Sequence, residues 1–247
     1  MNAYTSLASS YDRLTNDVAY REIWDFLETL LQAEGKQPET VLDLACGTGS
    51  MSVILAQKGY QVIGVDMSED MLTIAAQKAA ELAENPPFFV CQRMERLRLP
   101  VPVDCAVCCL DSLNYITDPE ACRKAIARVY ACLAPGGMFL FDINSEEKLR
   151  GLDGQVFLDE DDDVYCIWRA EFDEAERICY YGIDLFQRQG KHWLRSFEEH
   201  REYAYTTQQL TQYLQEAGFT SIKLYGDRRM APPGAGEQRI FITACKE

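Results

Sequence analysis

Two aspartates and two glycines are the first residues whose types and spacing could bind a ligand. The stretch VLDLACGTGS, residues 41–50, is an apolar run holding an acid, Asp43, and it breaks into a turn at Gly47 and Gly49. A second run, QVIGVD at 61–66, ends on Asp66, 17 residues past Gly49. Glycine in such a turn admits positive backbone angles and lets a ligand approach the main chain closely. The pattern is not a dinucleotide fingerprint, because G-x-G-x-x-G needs glycine at 52 and the chain has Ser52. Nor is it a phosphate-cradling P-loop, whose Gly-Lys-Ser/Thr is missing. From Asp43 it reads D-x-A-x-G-x-G.

A carboxylate at that point repels a pyrophosphate and attracts a ligand carrying an ammonium and a sulfonium. The acid ending the second strand suits a bidentate hydrogen bond to two ribose hydroxyls. Adenosine with a cationic tail describes S-adenosylmethionine.

The elements that must position these residues follow from the patterning. Ala19, Ile23, Phe26, Leu27, Leu30 and Leu31 recur at helical spacing and predict a helix over 17–32, with Asn16 as its cap. Strands at 40–45 and 61–66 then alternate with helices at 50–58 and 69–84, the latter capped by Ser68. Strands at 87–91 and 103–110 follow, and Asp118-Pro119 opens the next helix. Pro135-Gly136-Gly137 punctuates before the apolar strand MFLFDI. Strands separated by helices of this length make β-α-β units and a mainly parallel sheet.

After Asn144 the rhythm changes. Runs at 163–172, 177–187 and 192–205 are rich in aromatic residues and predict an inserted antiparallel meander, with the acidic LDEDDD at 158–163 as a solvated turn. A last helix over 207–217 ends at Gly218, and strands at 219–225 and 238–244 close a hairpin. The expected organisation is one domain, 1–247. It comprises an N-terminal helical cap (1–37), a cofactor-binding core (38–146), a β lid (150–205), and a C-terminal helix and hairpin (206–247).

Bulk properties narrow the function. The chain has 247 residues and a formal net charge of −15, which disfavours nucleic acid as a partner. No window approaches a membrane span and the start lacks a secretory signal, so the expectation is a cytoplasmic protein without membrane contact. Its ten cysteines then read as thiols. Cys105, Cys108 and Cys109 lie in an apolar run without a second ligand pair, and no metal site is expected.

VLDLACGTGS, VIGVDMSEDML, CCLDSLNYI and LAPGGMFLFDI, in that order across residues 38–144, resemble the class I S-adenosylmethionine-dependent methyltransferases. The flanks YDRLTNDVAYREIWDFL, EEHREY and EQRIFITACKE resemble the bacterial YqeM-like members. The resemblance implies a Rossmann-like α/β fold, with a mostly parallel seven-stranded sheet, helices on both faces and the antiparallel β lid inserted. It also implies that Asp43, Ala45, Cys46, Gly47 and Gly49 hold the methionine end and Asp66 the ribose. Met67, Met71 and Met94 would pack on or pair with adenine, and Leu110 and Asp111 would approach the methionine moiety. One departure stands out. The group has an acid before that last Met, where this chain has Arg93, which offers no acceptor. Adenine would then be held by backbone or by stacking beside Arg93.

Methyl transfer is an in-line displacement on an activated methyl, so a catalytic dyad is not required. Candidates for the acceptor pocket are Tyr4 and Tyr11 from the N-terminal segment, and Asp111, Ser112, Asn114 and Tyr115 after the fourth strand. Asp142 and Asn144 end the fifth strand and read more simply as turn-formers. The meander supplies Trp168, Arg169, Tyr180, Arg195, His200 and Arg201. Asp111, Tyr11 and His200 are the catalytic candidates, and Asn114, Tyr115, Trp168, Tyr180 and Arg201 those for the acceptor. Each has a plainer use as a core aromatic, a capped turn or a solvated ion pair. Alternation along YCIWRAEF puts Cys166, Trp168 and Ala170 on one face and Tyr165, Ile167 and Arg169 on the other. One face can meet the pocket and the other solvent or a second subunit, giving a homodimer through the lid. A small-molecule methyltransferase leads. A methyltransferase acting on tRNA, rRNA or protein, and a non-catalytic S-adenosylmethionine-binding protein, are the alternatives.

Overall fold

The computed structural model describes residues 12, 18–160 and 162–247; Tyr4, Tyr11 and Asn16 lie outside them. Helix α1, Tyr20–Ala33, buries Ile23, Trp24, Phe26, Leu27, Leu30 and Leu31, the stripe that a helical period places on one face. The parallel rhythm follows. It runs through β1 (Thr40–Leu44), α2 (Ser50–Gln57), β2 (Gln61–Asp66), α3 (Glu69–Ala79) and β3 (Phe88–Cys91), then β4 (Val103–Cys108), α4 (Pro119–Cys132) and β5 (Leu133–Asn144). Helix α3 stops five residues before the predicted 84.

The chain closes with α6 (Thr207–Ala217), β10 (Thr220–Tyr225) and β11 (Arg239–Cys245). Helix α6 starts on a capping box, in which Thr206 and Gln209 satisfy each other's backbone N–H, and ends at left-handed Gly218. The seven strands lie in the order β10-β11-β5-β4-β1-β2-β3. Strand β11 runs antiparallel to both β5 and β10, while the remaining pairs are parallel. This is the Rossmann-like sheet expected.

Residues of β5 alternate between two cores. Phe139 and Phe141 pack with Ile126 of α4 and Leu210 of α6, whereas Leu140 packs with Leu27 of α1 and Leu55 of α2. Helices thus cover both faces. Strand β1 lies between β4 and β2, so the chain reverses its progress across the sheet beside β1, where a crevice opens at the carboxyl ends.

Pro135–Gly137 does not precede β5 but lies inside it. The register slips between Val103↔Leu133 and Cys105↔Met138, and this bulge accommodates a residue without an N–H.

The insertion is a separate antiparallel sheet, β6-β7-β8-β9. Strands β7 (Val164–Asp173), β8 (Ile178–Gln189) and β9 (His192–Tyr203) are the three aromatic runs. Two elements differ from expectation. A short helix, α5 (Glu146–Gly151), enters the insertion, and β6 (Val156–Glu160) pairs with β7 as Leu158↔Ile167 and Glu160↔Tyr165. Half of the supposed acidic turn is therefore strand. Cys166 and Ala170 face the small core with Ile183, Leu185 and Leu149. Val156, Leu158, Trp193 and Phe197 are exposed.

All ten cysteines are free thiols, and only Cys91, at the end of β3, is exposed. Burial pushes the Cys105, Cys108 and Cys109 thiols upward, which makes them inert. No described helix is long and apolar enough to cross a membrane.

Candidate active site

Strand β1 delivers Asp43 and then a turn of left-handed residues, with φ of 57° at Ala45, 54° at Gly47 and 76° at Gly49. The two glycines serve different ends. A Cβ on Gly47 would meet nothing within 4 Å, whereas one on Gly49 would lie 2.8 Å from the Ala75 Cβ of α3. Gly49 is a packing glycine behind the turn, and only Gly47 lines the cleft. The Gly47 N–H donates to Asp66 Oδ2 at 2.9 Å and the Ser68 N–H to Asp66 Oδ1 at 2.8 Å, so the turn and the end of β2 share one carboxylate. Burial raises the Asp66 carboxyl, and these backbone donors oppose the shift.

Asp43 is almost wholly buried, and the Ser52 hydroxyl of α2 donates to it. Burial lifts its carboxyl to about 7; the Ser52 hydrogen bond works against that and the charge of Asp66 adds to it. Beside the turn, Thr48 Oγ1 donates to Asp12 at 2.7 Å and Lys78 Nζ lies 2.6 Å from the same carboxylate. This tie from the N-terminal segment to the glycine turn had no signal in the sequence.

The facing wall begins where β4 ends. Leu110 and Asp111 are consecutive left-handed residues, φ 58° and 51°. Such angles cost about 1–3 kcal/mol each and persist only where the surroundings enforce them. Asp142, at the end of β5, supplies the enforcement, accepting the Leu110 N–H at 2.8 Å and the Asp111 N–H at 3.0 Å. Asp142 is a clamp, then, and not a turn-former.

Arg239, the first residue of β11, donates through Nη1 to Asp142 and through Nη2 to Asp111 Oδ1 at 2.7 Å. Burial alone would lower Arg239, but the two carboxylates outweigh it and the guanidinium is held charged; Asp142 is raised by burial, with Arg239 opposing. An arginine keeps its proton, so the pair is ionised. Arg239 was not singled out in the sequence, although it sits in EQRIFITACKE.

Strand β9 forms the outer wall with Phe197 to Arg201. His200 Nε2 lies 3.1 Å from Glu198, and its ring meets the Tyr115 ring edge-on at 6.0 Å. The His200 side chain is fully buried where it borders the cleft. Arg201 places Nε and Nη2 on Glu199 Oε1 at 2.9 and 2.6 Å and stacks over the Tyr180 ring.

Asn114 is fully buried and binds main chain. It donates to the carbonyls of Asn144 and Tyr203 and accepts the Asn144 N–H, fastening β9 to the turn after β4. The Asn144 amide in turn donates to buried Glu202, whose carboxyl burial raises.

These walls enclose a cleft of about 1220 Å³. It gathers Asp43, Ala45, Cys46, Gly47, Asp66, Met67, Met71, Arg93, Met94, Leu110, Asp111, Tyr115, His200 and Arg201. It does not reach Gly49, Asn114, Trp168 or Tyr180.

Residues 41–137 match the family described as a methyltransferase domain. Two relatives with methyltransferase names align along nearly the whole chain. GWCH70_2453 of Geobacillus sp. (strain WCH70) is 34% identical over 98% of this chain and 99% of its own, and YqeM of Bacillus subtilis (strain 168) is 31% identical over 98% and 97%. The crystal structure of an S-adenosylmethionine-dependent methyltransferase from Clostridium acetobutylicum ATCC 824 superposes with a TM-score of 0.88, at 31% identity and 99% coverage of both chains. The chain is a YqeM-like S-adenosylmethionine-dependent methyltransferase. The fold is shared more widely. CalS10 of Micromonospora echinaspora, an amino pentose methyltransferase with S-adenosylmethionine bound, superposes with a TM-score of 0.76 at 19% identity, covering 100% of this methyltransferase and 99% of CalS10. Within this methyltransferase, Gly47 faces open space beside the doubly anchored Asp66 and the buried Asp43.

Proposed function

We propose that the methyl group passes to a small-molecule acceptor held between the carboxyl edge of the sheet and strand β9. The observation that carries this reading is one continuous cleft of about 1220 Å³ with Asp66 on one wall and Asp111 on the other. Ligand pockets usually span roughly 300–1,000 Å³. A donor and a compact acceptor therefore fit together in one enclosure, where proximity and exclusion of water do most of the work. The resemblance to an amino pentose methyltransferase leans the same way, and the net charge of −15 counts against a nucleic acid.

In this reading Asp43, Ala45, Cys46 and Gly47 hold the amino-acid end of the cofactor and Asp66 holds the ribose. Met67, Met71, Arg93 and Met94 flank the adenine, and Leu110 borders the methionine chain. The bound cofactor supplies a methyl carbon that is already activated. What the chain itself must do is orient the acceptor from Tyr115, Arg201 and the Asp111 turn. The site of action we propose is the cytoplasm.

Calorimetry should show binding of S-adenosylhomocysteine and no comparable response to NAD. With tritiated donor and a fractionated bacterial extract, label should enter the low-mass fraction. Label in the RNA or protein fraction would transfer the activity to a macromolecule, and binding without turnover would make the chain a sensor.

A further inference from the structure

The acceptor's half of the cleft is anionic. Each arginine lining the cleft, among the described residues, already faces a carboxylate. Arg201 is on Glu199, Arg93 Nη1 is 3.7 Å from Glu95, and Arg239 is shared by Asp111 and Asp142. One guanidinium between two carboxylates leaves that clamp with a net negative charge. Asp111 Oδ1 is occupied by Arg239 Nη2, whereas no hydrogen bond from a described residue reaches Oδ2. Asp111 is nine-tenths buried, lines the cleft and is fixed in a left-handed turn by Asp142. The Asp111 side chain keeps 13% of its surface exposed where it lines the cleft, so Oδ2 can accept a donor that a ligand brings.

We propose that the acceptor is an amine, and that Asp111 Oδ2 holds its nitrogen while Asp142 and Arg239 act as positioning residues. The proposal rests on the methyl-transfer reading above. A neutral amine donates an N–H to Oδ2 and keeps its lone pair for the methyl carbon. The N–C bond forms as the S–C bond breaks, the S–C electron pair stays on sulfur, and the sulfonium becomes a neutral thioether. Positive charge moves from sulfur to nitrogen, so an ammonium develops beside the carboxylate, and its extra proton leaves to water on release. A fixed anion where positive charge grows favours the transition state. An acceptor bearing a carboxylate or phosphate would meet Asp111 as a like charge.

Sinefungin tests this with the full chain, because it carries a protonated amine where the cofactor carries its sulfonium methyl. Calorimetry should find sinefungin bound at least tenfold tighter than S-adenosylhomocysteine. In Asp111→Asn that preference should vanish while S-adenosylhomocysteine affinity stays within threefold. No preference in the unaltered chain would overturn the proposal, and that arm does not depend on a variant folding. Equal losses for both ligands would assign Asp111 to the cofactor's own ammonium and overturn it too. Failure of both ligands to bind the unaltered chain would remove the methyl-transfer reading itself. With tritiated donor and a low-mass bacterial extract, base-stable label should be retained on a cation exchanger, and acylating the extract's amines beforehand should abolish transfer. Undiminished transfer after acylation would point to a hydroxyl or carboxyl acceptor.

Discussion

Ser52 stands where a dinucleotide turn needs glycine, and its hydroxyl donates to the buried Asp43 carboxylate. The residue that excludes one ligand thus stabilises the acid suited to another. Ser52→Ala should leave Asp43 short of a donor and destabilise the fold by about 1–3 kcal/mol, read from urea unfolding. Ser52→Gly would complete the G-x-G-x-x-G string yet should gain no affinity for NAD.

Asp43 gives the proposed cofactor site a pH dependence with a definite sign. Its carboxyl is raised from the usual 3.8 to about 7, mainly by burial. The folded state therefore binds its proton more tightly than the unfolded chain. The group's contribution to stability is present below about pH 4 and is lost as pH rises through 7, by roughly 1–4 kcal/mol. A cationic ligand favours the ionised form, so affinity for S-adenosylmethionine should rise with pH through 7, with proton release on binding. Asp43→Asn should flatten both trends, in melting curves and in calorimetry across buffers of different ionisation heat.

Asp66 joins the glycine turn to the end of β2 through two backbone N–H groups. Asp66→Ala should weaken S-adenosylhomocysteine binding by about 1–3 kcal/mol. Unchanged affinity in calorimetry would remove its ribose role.

Arg239 compensates two carboxylates at once. Arg239→Leu leaves Asp142 buried without its cation and should cost about 3–5 kcal/mol in denaturant unfolding. Pairing it with Asp142→Asn should recover part of that loss, a coupling that independent sites would not show.

The face of the inserted sheet that carries Ile167 exposes Val156, Leu158 and Trp193. A homodimer through this face predicts a sedimenting mass near twice 28.1 kDa, falling to a single chain in Leu158→Glu. A single-chain mass for the unaltered protein would reject it.

The parallel core was legible because its signals are local. Apolar runs carrying Asp43 and Asp66 mark β1 and β2, and helical spacing marks α1. Strand β6 was hidden because all five of its residues are exposed and its last two, Asp159 and Glu160, are acids that imitate a turn; what makes it a strand is the neighbouring β7. Arg239 was hidden for a similar reason. Its partners lie 128 and 97 residues away, and only the antiparallel insertion of β11 beside β5 brings them together. Asn114 showed the opposite failure. A polar residue after a strand at the ligand edge invites a binding role, yet its amide is consumed by main chain from β5 and β9. Placement at the edge was predictable, but the identity of the hydrogen-bond partner was not.

Cys91 is the one exposed thiol of ten, and its strand position pairs with Asp66. A maleimide fluorophore would therefore label the unaltered chain at one place, beside the proposed adenosine cradle. Its brightness would gauge occupancy in real time, so candidate metabolites could be ranked without engineering a reporter.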